Sequence, residues 1–501
     1  MNILPLFTTI ALAGAFVITL LGKRRKLLPD ILCNAVTLCL VCLSFASLLM
    51  LHRNGTLVYR VGGWVPPIGI ALVLDGLSAF MLVTVNGIAF LVTMYSISYM
   101  ERYTDKWKFY ALFLLMLGGM NGVIVTGDMF NLFVFLEIAA IASYALVAFG
   151  TEREELEAGF KYMVMGNLAS CFILLGIVFL YSYTSTLNMA DMSLALAGKR
   201  GSPLLLFVSA IFLMGFGLKA ALMPFHAWLP DAHPSAPAPI SAMLSGVLIK
   251  VLGVYAIMRV FFSVLGISVV ESYVLLVLGS VSMIAGACLA IGQTDIKRML
   301  AYSSISQVGY IFLGLGLGTP LGFLGALLHL VNHAVFKSLL FLNSGAVEYA
   351  TGTRDLRKMG GLSQKLPVTG ATNFVGAMSI SGLPPLGGFW SKLIIIMAAV
   401  WAGHLVFAII AAAVSILTIA YYARLQRQAF FGDLDERWSR LREVPGFMKF
   451  AMVVLAILCI FGGLLLLPAL SGPFLDEARG VLQMGTAYSG RVFSSIKANS
   501  P

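Results

Sequence analysis

Charge is the scarcest property of this 501-residue chain. Asp, Glu, Lys and Arg make up 11% of it, against roughly 25% in soluble domains. Cysteine is scarce too. The six, Cys33, Cys39, Cys42, Cys171, Cys288 and Cys459, all lie in apolar segments. Cys39 and Cys42 form a C-x-x-C, but a metal or redox site at that spacing needs a second pair or a nearby histidine. Neither is there, so they read as small apolar packing residues. No nucleotide, haem or iron–sulfur motif occurs, and no stretch outside the apolar runs is long enough to house one. A catalytic redox role for this chain alone is disfavoured, and no cofactor is expected in it. The net charge of +11 does not point to nucleic acid, because the basic residues collect in alternate short loops.

What the chain has is apolar length. Hydrophobic types fill 59% of it, in runs long enough to cross a hydrocarbon layer roughly 30 Å thick. Such runs must be helical, since lipid offers no partner to backbone polar groups. About fourteen spans can be drawn, at 3–22, 30–51, 69–95, 108–127, 129–150, 160–183, 203–230, 236–263, 271–292, 298–317, 319–349, 366–401, 403–423 and 447–470. The fold class is therefore an all-α integral membrane protein. The first run precedes Lys23, Arg24, Arg25 and Lys26, whereas a cleavable signal carries its positive charge first. Counting loops alternately from there puts 21 basic residues on one side and only Arg53, Arg60, Lys199 and Arg200 on the other. The positive-inside rule makes the first side cytoplasmic, so a cell inner membrane protein with both termini outside is expected. The tail after about 471 is polar and reads as mobile.

Five basic residues fall inside apolar runs: Lys219, Lys250, Arg259, Lys337 and Lys392. Arg259 lies near a helix end and is expected to snorkel to the interface. Asp75 and Asp128, near outer helix ends, are expected to be solvated there. A charge at the middle of a membrane helix costs roughly 2.5–3.5 kcal/mol, so the others need a reason. Glu137 lies mid-span in NLFVFLEIAAIASYAL. A static ion pair accounts for one lysine, but one glutamate does not neutralise three or four. A lysine in low dielectric is able to exist uncharged, and one that alternates between two states carries protons.

Two spans are interrupted. One runs LKAALMPFHAWLPDAHPSAPAP and unwinds near Pro224; the other breaks at Gly382, Pro384, Pro385, Gly387 and Gly388. Proline removes a backbone donor and clashes with the preceding turn. Lys219 precedes the first break and Lys392 follows the second. Paired broken helices point to inverted-repeat transporters with sites at the midplane. A third feature is the stripe His329, His333 and Lys337, spaced four and four, which shares one helical face. Histidine exchanges protons near neutral pH, so the stripe reads as a relay. A metal site there lacks a third ligand, and no metal is expected. His226 and His233, beside the first break, are candidates for proton entry, with solvated loop histidines the equal alternative. Ser303, Ser304, Ser306, Gln307 and Tyr310 enrich one span but also serve as helix glue.

The segments GDMFNLFVFLEIAAIASY, FGLKAALMPFHAWLPDAHPSAP, SGVLIKVLGVYAIMR, DLRKMGGL and SGLPPLGGFWSK resemble the antiporter-like subunits of the complex I superfamily. That superfamily includes respiratory complex I, the Mrp sodium/proton antiporters, and membrane-bound hydrogenases and sulfane-sulfur reductases. The likeness covers about 70–430. The Glu137 segment and DLRKMGGL look most like the Mrp D subunit, and LPDAHPSAPAP more like the hydrogenase and complex I members. The resemblance implies a proton-translocating subunit, not catalytic by itself, most similar to the Mrp-D-like H subunit of a membrane-bound hydrogenase-type complex. The alternatives are the D subunit of a stand-alone Mrp antiporter and a complex I pumping subunit; a structural spacer with relic charges is the fallback. It also implies two inverted five-helix repeats, 108–263 and 264–430, after an N-terminal part at 1–107 and before a last helix and tail at 431–501. Within them Glu137 pairs with Lys219, Lys250 joins along the axis, His329, His333 and Lys337 continue, and Lys392 completes the wire; some members carry Glu at that last position. Expected partners are antiporter-like and small Mrp-type subunits, a hydrogenase-like peripheral arm, protons, sodium and lipid. The long lateral helix of the largest members is not expected here, as the stretch after about 470 is too short for it.

Overall fold

The computed structural model describes residues 3–498. Helices α1 to α6 span Leu6–Leu21, Leu28–Asn54, Gly76–Tyr99, Lys106–Val125, Met129–Val147 and Arg153–Thr184. A short α7, Met189–Ala195, precedes α8, Pro203–Lys219, and α9, Leu229–Ser235. Then come α10, Ala238–Leu265, α11, Val269–Ile291, α12, Ile296–Gly316, and α13, Pro320–Thr351. The chain continues with α14, Pro367–Ser381, α15, Gly387–Trp401, α16, Leu405–Leu425, and α17, Gly446–Phe461. Among the described residues, ten helices are long and apolar enough to cross a membrane, and α1, α8 and α15 are shorter apolar helices. The molecule is thus a multi-span all-helical membrane protein.

Local chemistry sets where helices begin. Asp128 accepts the Asn131 amide at 2.8 Å to start α5, and Asp295 accepts the Arg298 amide at 2.9 Å to start α12. Each satisfies a donor that the first turn leaves orphaned. The same two residues make a matched pair of backbone bridges, Asp128 with Asn188 and Asp295 with Asp355, sixty positions apart in both cases. The flanking hydrogen bonds also match: Met129 to Leu187 and Met189 to Gly127, then Ile296 to Arg354 and Leu356 to Thr294. The first bridge lies at the end of the bundle where α5 starts, the second at the opposite end. At that second bridge Arg357 holds the Asp355 carboxyl down at about 2.

Five expectations are corrected. The run at 69–95 does not begin as helix. Leu57–Arg60 (β1) and Ala71–Leu74 (β2) pair antiparallel, with Leu57 opposite Leu74. Asp75 starts α3 only after this hairpin, accepting the Ser78 amide at 3.0 Å. The tail is not an irregular polar extension: Glu477–Met484 and Tyr488–Ala498 are helical. Its Leu475, Val481, Leu482 and Val492 are buried, and a Cβ at Gly76 would lie 2.3 Å from the Glu477 carbonyl oxygen. Alternating polar and apolar residues there make amphipathic helices that cover the hairpin end of the bundle. Arg259 does not snorkel. It lies 2% exposed and donates to both oxygens of Asp75, at 2.6 and 2.8 Å. Asp75 is accordingly buried rather than solvated. The cysteines also differ from packing residues throughout: Cys33 and Cys459 are buried, while Cys39, Cys42, Cys171 and Cys288 face outward.

Small residues allow the helices to approach closely. One close approach is Gly253 of α10 against Ala220, whose backbone lies 2.5 Å from where a Cβ would stand. Gly253→Ala is expected to destabilise the folded protein by about 1–3 kcal/mol through overpacking, read as a lower midpoint of thermal unfolding in detergent. An unchanged midpoint would mean the contact yields freely.

Candidate functional site

The titratable groups inside the spans converge on three places. At the first, Lys219 closes α8. Its Nζ lies 3.4 Å from Glu137 Oε1 and donates to the Tyr144 hydroxyl at 3.2 Å. The Lys219 side chain is 2% exposed and that of Glu137 21%. Ser170 of α6 donates to the same Glu137 oxygen. The pairing expected from sequence is therefore a real contact, and Tyr144 and Ser170 are additions. Tyr144 stands two turns after Glu137 on α5, a spacing that puts both on one face. The chain then leaves helical geometry: Ala221 sits at φ +55° and Pro224 follows. Trp228 holds the break, donating to the Leu218 carbonyl at 2.9 Å and stacking on Tyr162 at 4.2 Å.

The second place is the centre. Lys250 is fully buried on α10, inside a helix that winds as π turns over Leu244–Leu248, Lys250–Tyr255 and Met258–Leu265. Such turns are rare and recur at functional sites. The Lys250 ammonium donates to the Ser245 carbonyl, five residues back. The Ser245 hydroxyl meets that of Ser304 on α12 at 2.7 Å. Lys337 of α13 is also fully buried; it donates to the Leu300 carbonyl at 2.7 Å and to Ser303, with the Tyr422 hydroxyl at 3.4 Å.

The third place holds the second break. Gly382 ends α14 at φ +82° and Pro384 and Pro385 follow before α15 begins. Lys392 reaches back across this break to donate to the Ile380 carbonyl at 2.7 Å, with its Nζ 5.0 Å from the centre of the Tyr310 ring. His329 connects the two places. Its Nδ1 is 2.9 Å from the Ser391 hydroxyl, and its ring lies 6.2 Å from that of His333. His329, His333 and Lys337 are all fully buried, as one shared face requires.

Two features distinguish this set from static glue. No carboxylate forms an ion pair with Lys250, Lys337 or Lys392 among the described residues, whereas Lys219, Arg259 and Lys297 each have one. In addition, both nitrogens of His333, the Nε2 of His329 and the amide of Gln307 are buried without a protein hydrogen-bond partner. Buried polar groups of this kind are ones that ordered water satisfies.

The two entry candidates separate. His226 is partly exposed, with its Nδ1 3.3 Å from the Pro224 carbonyl. His233 is no solvated loop histidine: it is fully buried, stacked on Phe341 at 4.5 Å, and both its nitrogens lack a protein partner. Lys297, expected in a solvated loop, is also buried; α9 and α13 close over it, and it pairs with Glu348 at 3.1 Å. Among the described residues no three His, Cys, Asp or Glu side chains gather to hold a metal ion.

The transmembrane family model described as NADH:quinone oxidoreductase/Mrp antiporter matches residues 126–418, and that for the complex I chain 5 N-terminus matches 64–110. The chain is 40% identical over 393 residues to the N subunit of NADH-quinone oxidoreductase from Desulforudis audaxviator, covering 77% of this chain and 78% of that one. It is 34% identical over 453 residues to the D subunit of the Na+/H+ antiporter from Alkalihalophilus pseudofirmus, covering 90% and 91%. A chain of the membrane-bound sulfane sulfur reductase, an archaeal respiratory membrane complex, superposes with a TM-score of 0.90 at 31% identity over 98% of this chain and 99% of that one. The chain belongs to the NADH:quinone oxidoreductase/Mrp antiporter transmembrane family, as one of its antiporter-like membrane subunits.

Proposed function

We propose that this chain moves protons across the membrane as the antiporter-like subunit of a larger ion-pumping complex, an Mrp-type module of a hydrogenase-like or other oxidoreductase. The carrying observation is the row of buried lysines without carboxylates, at Lys250, Lys337 and Lys392, joined by His329 and His333 and flanked by one ion pair, Glu137 with Lys219. Protons enter the row beside His226 and His233. When Lys219 is drawn away from Glu137 it loses the carboxylate that favours its charged form, and its proton passes to Lys250 and onward. Tyr144, Ser245, Ser303 and Ser391 supply hydroxyls along the way, and water bridges the longer gaps. The breaks at Pro224 and at Pro384 and Pro385 leave backbone carbonyls free to hold the ammonium groups, as Ile380 does for Lys392.

In this reading the chain has fourteen spans, with 1–107 at its start, inverted five-helix repeats at 108–263 and 264–430, and 431–501 at its end. The repeat is supported by the two backbone bridges with sixty-residue spacing at opposite ends of the bundle. The left-handed residue three positions before a proline in both breaks supports it too. The membrane is the cell inner membrane and both termini lie outside. The partners are further antiporter-like and small Mrp-type subunits together with a peripheral arm, and the chain itself needs no cofactor. In the assembled complex, Lys392→Ala is expected to slow proton transfer by about 100-fold, the usual scale for losing one proton-transfer group. Proton uptake into proteoliposomes holding the complex measures it; an unchanged rate with normal assembly would remove Lys392 from the path.

A second reading, the D subunit of a stand-alone sodium/proton antiporter, is favoured by the 90% coverage of the match to the Alkalihalophilus antiporter chain. Sodium-driven proton exchange by the purified complex without any redox substrate would select it.

A further inference from the structure

Lys297 and Glu348 repeat the geometry of the Glu137–Lys219 pair at another point of the fold. In both, a lysine 2% exposed meets a glutamate about one quarter to one fifth exposed, 24% for Glu348 and 21% for Glu137. The separations are 3.1 and 3.4 Å. Lys297 stands in the first turn of α12 and Glu348 in the last turn of α13. These helices already carry the relay. The Leu300 carbonyl that accepts from Lys337 is one turn beyond Lys297, and α13 runs from His329 through His333 and Lys337 to Glu348.

We infer that Lys297, Glu348 and His233 form the proton-exchange mouth through which the buried relay meets water at the end of the bundle where α12 begins. This rests on the proton-transfer reading above and adds a site to it. Exposure falls inward: Glu348 is partly exposed, Lys297 is nearly covered, and His233 and Lys337 are fully buried. Glu348 also meets the partly exposed Arg354, at 3.6 Å. Lys297 also donates to the Ala236 carbonyl at 3.0 Å, three residues beyond His233. His233 lies within electrostatic reach of Lys297, Lys337 and Lys250 together. Its two ring nitrogens have no protein partner. In neutral imidazole one accepts and the other donates, which is what a transfer from Lys297 to Lys337 requires.

The step conserves protons and charge. A proton from water binds the Glu348 carboxylate. Lys297, now without its counter-ion, releases a proton through water to one nitrogen of neutral His233. Neutral Lys297 then takes the proton from Glu348, and the ion pair is restored. One proton has moved from solvent to His233, and the second ring nitrogen passes one on towards Lys337.

The rival is a static tie between α12 and α13. Lys297→Arg separates the two, because arginine keeps the ion pair but does not give up its proton. The complex containing this chain is reconstituted with pyranine inside, and proton uptake is driven by a valinomycin potassium potential. Lys297→Arg and Glu348→Gln are each expected to slow uptake by about 100-fold, while Glu348→Asp retains most of it. Subunit content on native gels should match the unsubstituted complex. Uptake at the unsubstituted rate in Lys297→Arg would overturn the mouth and leave a static tie. Should Lys297→Arg fail to assemble, full uptake in Glu348→Gln would overturn it instead. Lys219→Arg run in parallel separates the levels. If it is blocked while the Lys297 and Glu348 variants conduct, only the mouth fails; if all conduct, the proton-transfer reading fails with it.

Discussion

Lys219→Ala will reduce proton transfer by the assembled complex by about 100-fold or more and leave its subunit composition intact. The amine joins Glu137 and Tyr144 to the end of α8, and alanine has no group that takes up or gives up a proton. The site tolerates the loss structurally because Glu137 is partly exposed and keeps its Ser170 hydrogen bond. Glu137→Ala is the sharper case. It strands a buried ammonium, and breaking a buried pair costs about 3–5 kcal/mol unless the lysine becomes neutral. Proton uptake and native-gel assembly of the two variants, compared side by side, test this. Normal pumping by both in fully assembled complex would contradict a relay through this pair.

A large effect on stability is also expected at Arg259 and Asp75. Two charge-assisted hydrogen bonds join them, the Tyr255 hydroxyl accepts from Arg259 at 3.1 Å, and the Tyr488 ring lies 5.1 Å from the guanidinium. Asp75→Ala leaves the arginine buried among aromatic rings, and Arg259→Ala leaves the carboxylate against the start of α3. Each is expected to cost about 3–5 kcal/mol, seen as a lower unfolding midpoint in detergent and as loss of assembled complex. The double variant Asp75→Leu with Arg259→Met should recover much of that loss, since apolar replacement of a buried pair is often neutral. Two single variants of unaltered midpoint would show that the pair contributes little.

Much of this was legible in the sequence, for identifiable reasons. A charge in an apolar run is conspicuous, so Glu137, Lys219, Lys250, Lys337 and Lys392 stand out from the sequence alone. The i, i+4 stripe on α13 has a period that reads directly as one face. Contacts distant along the chain were not legible. Arg259 is separated from Asp75 by 184 residues, and nothing local to either announces the other. Lys297 looked like one more loop residue because it follows Asp295, the residue that caps α12. Its burial comes from α9, 61 positions away through the Ala236 carbonyl, and from the far end of α13. The hairpin was hidden for another reason: Ala71–Leu74 is as apolar as the helix after it. The π turns of α10 leave no periodic signature in a segment buried on every side.

The two helix breaks are built from different residues, and this sets them apart mechanically. Gly382 takes its left-handed conformation freely, whereas Ala221 holds a similar one with a side chain attached, which costs roughly 1–2 kcal/mol for an L-residue. The break beside Lys219 is therefore strained where the break before Lys392 is not.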